Sequence, residues 1–262
     1  MNMPDLLANV RVVLARPSHP GNIGAAARAM RTMGLTRLFL VAAERFPHPD
    51  ASAMAANATD VLDAVTLSPS LDAALADTTL QIAFTARSRA LSHAALTVRG
   101  AAVVAAQMAG TGSSAQIALV FGNETYGLSN EEVMRCNRTA FIPTDPEASS
   151  LNLAAAVQVA AYELWMAVLE AVPSAPRDAQ GAVLSSVEAG AGALAPHADV
   201  ERFFEHLEQS LYRSGFLQPG NPRRLMERMR RLYARSGLER EEINILRGML
   251  SAWDGTGGRH GT

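Results

Sequence analysis

Two short apolar strands, residues 117–121 and 139–142, each run directly into a loop of Gly, Asn, Ser, Pro and acidic residues. The second loop opens a long Ala-rich helix over residues 151–169. This arrangement constrains the fold more than any other stretch. Loops at the C-terminal ends of buried strands are where α/β proteins meet ligands. Two such loops close together in sequence, both able to offer backbone amides, point to one small molecule shared between them.

The rest of residues 10–171 repeats the same alternation. Apolar runs at 10–15, 36–41, 65–67 and 80–85 read as strands. Residues 23–33, 50–64, 69–76 and 99–109 read as helices, with Ser68 as the N-cap of the third. Ser129 and Glu132 have capping-box spacing for a short helix. Strands alternating with helices argue for an α/β fold: a parallel sheet with helices on both faces.

Several chemistries lack their residues. There is no GxGxxG after the first strand, and a chain without lysine cannot carry a Walker A loop. His19, His48, His93, His197, His206 and His260 have no metal-ligand spacing, so no metal is expected. The single cysteine, Cys136, reads as a half-buried residue near a helix end and fits a reducing cytoplasm. No apolar run is expected to reach membrane-spanning length, and the N-terminus lacks a signal pattern. Net charge is −2, so neither membrane nor DNA is expected as a partner. All 23 basic residues are arginine. Any phosphate contact must therefore use a guanidinium fork, which stays charged.

The helix over 23–33 follows the loop Arg16-Pro17-Ser18-His19-Pro20-Gly21-Asn22 and carries Arg28 and Arg31 one turn apart. Taken singly, Arg28 is a surface charge, Glu124 a turn residue, and Ser149, Ser150 and Asn152 ordinary helix-start residues. Together they match a pattern. The block around Asn22 and Arg28, then Phe121-Gly122-Asn123-Glu124 with Gly127-Leu128, then Ile142-Pro143 and Ser149-Ser150-Leu151-Asn152-Leu153, resembles the three motifs of the SpoU family. That family comprises RNA ribose methyltransferases of the knotted SPOUT class.

The resemblance implies a C-terminal trefoil knot in the sheet domain, residues 1–172, and S-adenosyl-L-methionine as cofactor. It implies that Arg28 is catalytic with Asn22 beside it, and that Ser150 and Asn152 belong to the active site. It implies that Glu124 orders the active-site loop and engages a neighbouring arginine. The cofactor would lie against Phe84, Thr85, Ala86, Gly122, Ile142, Ser149, Ser150 and Leu151, and Arg87 and Arg89 would face RNA. A homodimer is expected, with Leu164 and Trp165 in or beside its interface. Arg28 has two open roles: base for the ribose hydroxyl, or clamp on the target phosphate while a phosphate oxygen or water takes the proton.

Composition changes after Val172. Residues 173–199, rich in Ala, Gly, Ser and Pro, read as a flexible linker. Residues 200–254 read as three amphipathic helices, and 255–262 as a disordered tail. The middle helix carries Arg223, Arg224, Arg228, Arg230 and Arg231 and reads as an RNA-backbone contact, with Leu225, Met229, Leu232 and Tyr233 inside. This C-terminal part resembles the extension of a tRNA-acting branch of the same family. That implies tRNA as partner and methylation of cytidine or uridine at position 32 of the anticodon loop. The alternatives are a ribosomal RNA methyltransferase of the same family and an RNA-binding module without catalysis. Asn123, Thr125 and Tyr126 stand where some members have charged residues, which leaves fine substrate choice open.

Overall fold

Seven strands form one sheet in the order β3-β2-β1-β6-β4-β7-β5, and every pairing is parallel. The strands are β1 (Val10–Ala15), β2 (Arg37–Val41), β3 (Thr66–Ser68), β4 (Thr78–Phe84), β5 (Leu96–Thr97), β6 (Gln116–Phe121) and β7 (Arg138–Phe141). The computed structural model describes residues 6–86, 95–110, 115–171, 194–218 and 224–256. Arg87, Arg89, Arg223, most of the expected linker and the tail beyond Thr256 lie outside those residues. The chain divides into two compact units, Met1–Val183 and Leu184–Thr262.

Alternate residues of each central strand face opposite layers, as the two-residue period of a strand requires. Val10, Val12 and Leu14 of β1, with Ile117, Leu119 and Phe121 of β6, join the larger core cluster. Val13 and Ala15, with Ala118 and Val120, join the smaller one on the other face. Helices α1 (Pro20–Thr32), α2 (Pro49–Ala55), α5 (Val98–Gly110) and α7 (Leu153–Ala171) cover the first face. The short helices α4 (Leu71–Leu75) and α6 (Asn130–Met134) cover the second. Both faces of a parallel sheet are thereby closed.

Several boundaries differ from the sequence expectation, each for a local reason. Helix α1 starts at Pro20, because proline at the first helical turn loses no intrahelical bond. The expected helix over 50–64 is broken. A 3-10 turn at Ala56–Ala58, with Ala56 at φ 50, separates α2 from α3 (Thr59–Asp63). Ser70, not Ser68, caps α4: its side chain accepts from the Ala73 amide, while Ser68 ends β3. Cys136 is fully buried rather than half-buried, and burial pushes its thiol pKa up.

Helix α7 packs against α1 and α5. By length and composition it could cross a membrane, contrary to the expectation from sequence, but here it forms much of the core. Leu164 is buried inside this unit. Trp165 is only partly buried and lies against Gly34. Gly24 lets α1 approach α2 closely, since a Cβ there would stand 2.0 Å from the Ala51 carbonyl oxygen.

In the second unit, α8 (His197–Arg213), α9 (Leu225–Ala234) and α10 (Arg240–Thr256) enclose a core of Phe203, Phe204, Leu207, Ile243 and Leu250. Leu194 pairs with Glu239 and Ala195 is buried, so structured chain precedes residue 200. One expectation fails on α9. Leu232 is half exposed, and Arg230 takes the inner place. Its guanidinium forks onto Glu201 at 2.5 and 2.8 Å and stacks over the Phe204 ring at 4.4 Å.

Candidate active site

In a parallel sheet all strand C-termini share one edge, so adjacent strands pool their loops there. Strands β6, β4 and β7 are neighbours, and one cavity lies at their ends. It is lined by Phe84, Thr85 and Ala86 after β4, by Gly122–Leu128 after β6, and by Ile142, Thr144, Ser149, Ser150 and Leu151 after β7. The eight residues expected to meet the cofactor are thus brought to a single cavity. Phe121, Asn123, Thr125, Tyr126, Gly127, Leu128, Thr144, Leu153 and Ala156 line it as well, and the sequence did not single them out for this role.

The Phe84 and Phe121 rings, at the ends of adjacent strands, stack with centroids 4.6 Å apart and planes 8° from parallel. Gly122 is required by close approach: a Cβ there would stand 2.2 Å from both the Gly127 carbonyl carbon and the Leu128 nitrogen. The loop therefore folds back directly on its own first residue.

The loop after β1 joins from the side. Glu124 Oε2 accepts from the Ser18 amide and hydroxyl, both at 2.9 Å. Its Oε1 accepts from the His19 amide at 3.1 Å and from Asn22 Nδ2 at 3.0 Å. Asn152 Nδ2 donates to Asn22 Oδ1 at 2.9 Å, and Asn152 Oδ1 accepts from the Ala154 amide at 2.9 Å, capping α7. The direction of this chain is fixed at its first member. An ionised carboxylate only accepts, so Asn22 turns its NH2 to Glu124 and its oxygen to Asn152. Three loops from β1, β6 and β7 are locked by one run of polar side chains. Burial pushes the Glu124 carboxyl up. Hydrogen bonds from Asn22, Ser18, its own backbone and His19 outweigh burial and hold it down to about 2, against a usual 4.5.

Glu124 therefore engages backbone amides, a hydroxyl and an asparagine rather than the expected arginine. The acid paired to an arginine is Glu132, whose two oxygens meet Arg16 Nε at 2.9 Å and a terminal nitrogen at 2.6 Å. Sequence reading assigned Glu132 only to the capping box, which it also completes. The signal for the pairing was Arg16 itself, which stands directly after β1 in the loop leading to α1. Burial raises the Glu132 pKa, but the Arg16 and Ser129 bonds bring it net below its ordinary range.

Arg28 is exposed on α1, forms no hydrogen bond or ion pair among the described residues, and is not in the cavity lining. Ser150 is exposed within that lining. On α9, Arg224 pairs with Glu227, Arg228 is exposed, Arg231 is half-buried, and Arg230 is held inside as described. Arg230 is therefore engaged within its own unit. Among the described residues no group of His, Cys, Asp and Glu could hold a metal.

Comparison with known proteins agrees along both units. The model of the SpoU rRNA Methylase family matches residues 9–162, and that of the tRNA methyltransferase TrmJ C-terminal domain matches residues 198–261. The tRNA (cytidine/uridine/adenosine-2′-O-)-methyltransferase TrmJ of Pseudomonas aeruginosa (strain UCBPP-PA14) is 44% identical over 94% of this chain and 94% of that one. The Pectobacterium atrosepticum tRNA (cytidine/uridine-2′-O-)-methyltransferase TrmJ is 42% identical over 94% of this chain and 97% of its own. The crystal structure of TrmJ from Z. mobilis ZM4 superposes with a TM-score of 0.77 at 30% identity, covering 93% of this chain and 98% of that one. With motif-bearing loops gathered at one sheet edge and likeness running through both units, this chain belongs to the SpoU methylase family, in the branch that carries the TrmJ C-terminal domain.

Proposed function

We propose that the chain transfers a methyl group from S-adenosyl-L-methionine to a ribose 2′-hydroxyl of tRNA, at cytidine or uridine 32 of the anticodon loop. One observation carries this. Relatives named as tRNA 2′-O-methyltransferases match 94% of the chain, C-terminal unit included. The cavity fits the cofactor. Gly122 brings no side chain to the cavity, and Ile142 and Leu151 offer apolar surface beside Thr85, Ser149 and Ser150. Those residues, with Phe84, Ala86 and Gly122, would hold the cofactor, whose sulfonium supplies an already activated methyl group.

The protein's own task is then alignment and charge. Glu124, Asn22 and Asn152 fix the three loops around the acceptor side, with Ser150 exposed between them. Arg28 is the acceptor-side cation. A guanidinium stays protonated in proteins, and among the described residues no carboxylate neutralises this one, so it is suited to clamp the phosphate beside the target ribose. A phosphate oxygen or water then takes the hydroxyl proton. Within one chain Arg28 lies outside the cavity lining. This supports a homodimer in which a second copy completes the site, as the family resemblance implies. The strand order, with β4 between β6 and β7, supports the trefoil knot. A tRNA substrate supports a cytoplasmic location.

The test is transfer of labelled methyl from the cofactor to unmodified tRNA and, separately, to ribosomal RNA. Expected is label in tRNA at an alkali-resistant linkage at position 32, because a methylated 2′-oxygen cannot attack its phosphate. Label confined to ribosomal RNA, or no transfer at all, would overturn the reading.

A further inference from the structure

The mechanism above leaves Tyr126 without a role. Its side chain is 72% exposed, yet it belongs to the cavity lining. The other aromatic rings there, Phe84 and Phe121, are buried and stacked on each other. Leu128 and Leu153 are buried too, while Leu151 on the loop after β7 is 38% exposed. Tyr126 is the aromatic residue of the lining with a ring open to solvent.

Its backbone is held rigidly. Asn123 Oδ1 accepts from the Thr125 amide at 2.9 Å and the Tyr126 amide at 3.2 Å. The Gly127 amide donates to the Asn123 carbonyl at 2.8 Å, and Asn123 Nδ2 donates to the Arg16 carbonyl at 2.8 Å. Gly127 turns the chain at φ 66. A preorganised loop thus presents an exposed ring with two rotatable bonds, at small entropic cost on binding.

We propose that Tyr126 is the platform on which the target nucleobase stacks, holding the adjoining ribose at the cavity mouth. The proposal rests on the methyltransferase reading. Single-stranded RNA loops are recognised by bases splayed out and stacked on aromatic side chains. The cofactor's adenine is the other flat ring available. A side chain reaching into the cavity to meet it would be covered by the walls, whereas this one faces solvent, the side from which RNA arrives. A ring face does not read base edges, so the contact serves cytidine and uridine alike. Because the side chain is so exposed, the fold does not depend on it.

The experiment compares full-length wild type, Tyr126→Phe, Tyr126→Leu and Tyr126→Ala. Affinity and KM for unmodified tRNA transcripts with cytidine or uridine at position 32 are measured beside calorimetric cofactor affinity. Tyr126→Phe stays within about two-fold of wild type. Tyr126→Leu and Tyr126→Ala lose about 5- to 100-fold in tRNA affinity, equally for both bases, with cofactor affinity unchanged. Wild-type tRNA affinity in Tyr126→Ala overturns the proposal. So does a Tyr126→Leu variant as good as Tyr126→Phe, which would reduce the contact to apolar bulk. A loss of cofactor affinity in Tyr126→Ala assigns the ring to adenine and overturns it too. Wild type that binds tRNA but transfers no methyl sinks the methyltransferase reading alone, since the binding comparison needs no turnover. Wild type without measurable tRNA affinity sinks both.

Discussion

Glu124 shows how one side chain can hold a site together. Its carboxylate takes three donors from the loop after β1 and one from Asn22 of α1, and passes direction through Asn22 to Asn152. Replacing it by glutamine puts an NH2 where only acceptors fit, leaving a donor facing donors. Glu124→Gln should cost about 1–3 kcal/mol in urea unfolding and lower methyl transfer more than cofactor affinity. The pH dependence has a definite sign. The folded pKa, about 2, is depressed below the usual 4.5, so the ionised carboxylate stabilises the fold fully above pH 4.5. That contribution is lost as pH falls from about 4.5 towards about 2. Wild type should lose stability across this window more steeply than Glu124→Gln; parallel curves would remove Glu124 from the account. None of these partners was legible in the sequence, because they lie more than 100 positions away. What was legible was that an acid between two glycines at a strand end, in a string matching a known motif, is more than a turn.

At the scale of elements, apolar period located nearly every strand and helix, because burial on one face leaves a pattern in the chain itself. Ends were less legible, because caps decide them. Ser70 and Ser68 look alike in sequence, and only the second of them is taken by a strand. The arginine helix α9 shows the same limit. Six arginines from Arg223 to Arg235 read as one charged face, yet Arg230 turns inward to Glu201 and Phe204 while Leu232 turns out. A charge can occupy a core-facing position when a half-buried partner meets it, and the partner sits on a different helix. The two kinds of arginine should separate by experiment. Arg228→Gln should reduce the slope of log affinity against log salt for tRNA by about one, with thermal unfolding unchanged. Arg230→Ala leaves the half-buried Glu201 without its cation and should destabilise the C-terminal unit by about 1–3 kcal/mol. An unchanged salt slope in Arg228→Gln would make that side chain a solvated charge only.

At the scale of the whole molecule the open question is the second copy, and α7 carries the argument. Its buried residues Leu153, Val157, Ala160, Leu164, Ala167 and Val168 face α1, α5 and the sheet. A second apolar row, Ala155, Val159, Tyr162, Met166 and Leu169, repeats at steps of four and three, with Ala155, Tyr162 and Leu169 exposed and Val159 packed in part against the core. Tyr162 is 49% and Leu169 42% exposed. A spacing of four and three is the one paired helices use for a seam. The family resemblance placed Leu164 and Trp165 in or beside the interface. Leu164 is buried within this unit, and Trp165 is half-buried against Gly34. Hydropathy alone could not separate the two rows, since nearly every turn of α7 is apolar on both sides. We therefore expect a symmetric dimer whose two-fold axis passes beside Tyr162 and Leu169. Tyr162→Glu should shift the mass towards monomer in light scattering at micromolar concentration and keep cofactor affinity. It should also cut methyl transfer, because Arg28 then has no second copy whose cavity it can serve. Trp165→Glu, placed against Gly34, should instead lower the unfolding temperature. A Tyr162→Glu protein that is monomeric and fully active would separate catalysis from assembly and return Arg28 to the surface as an ordinary charge.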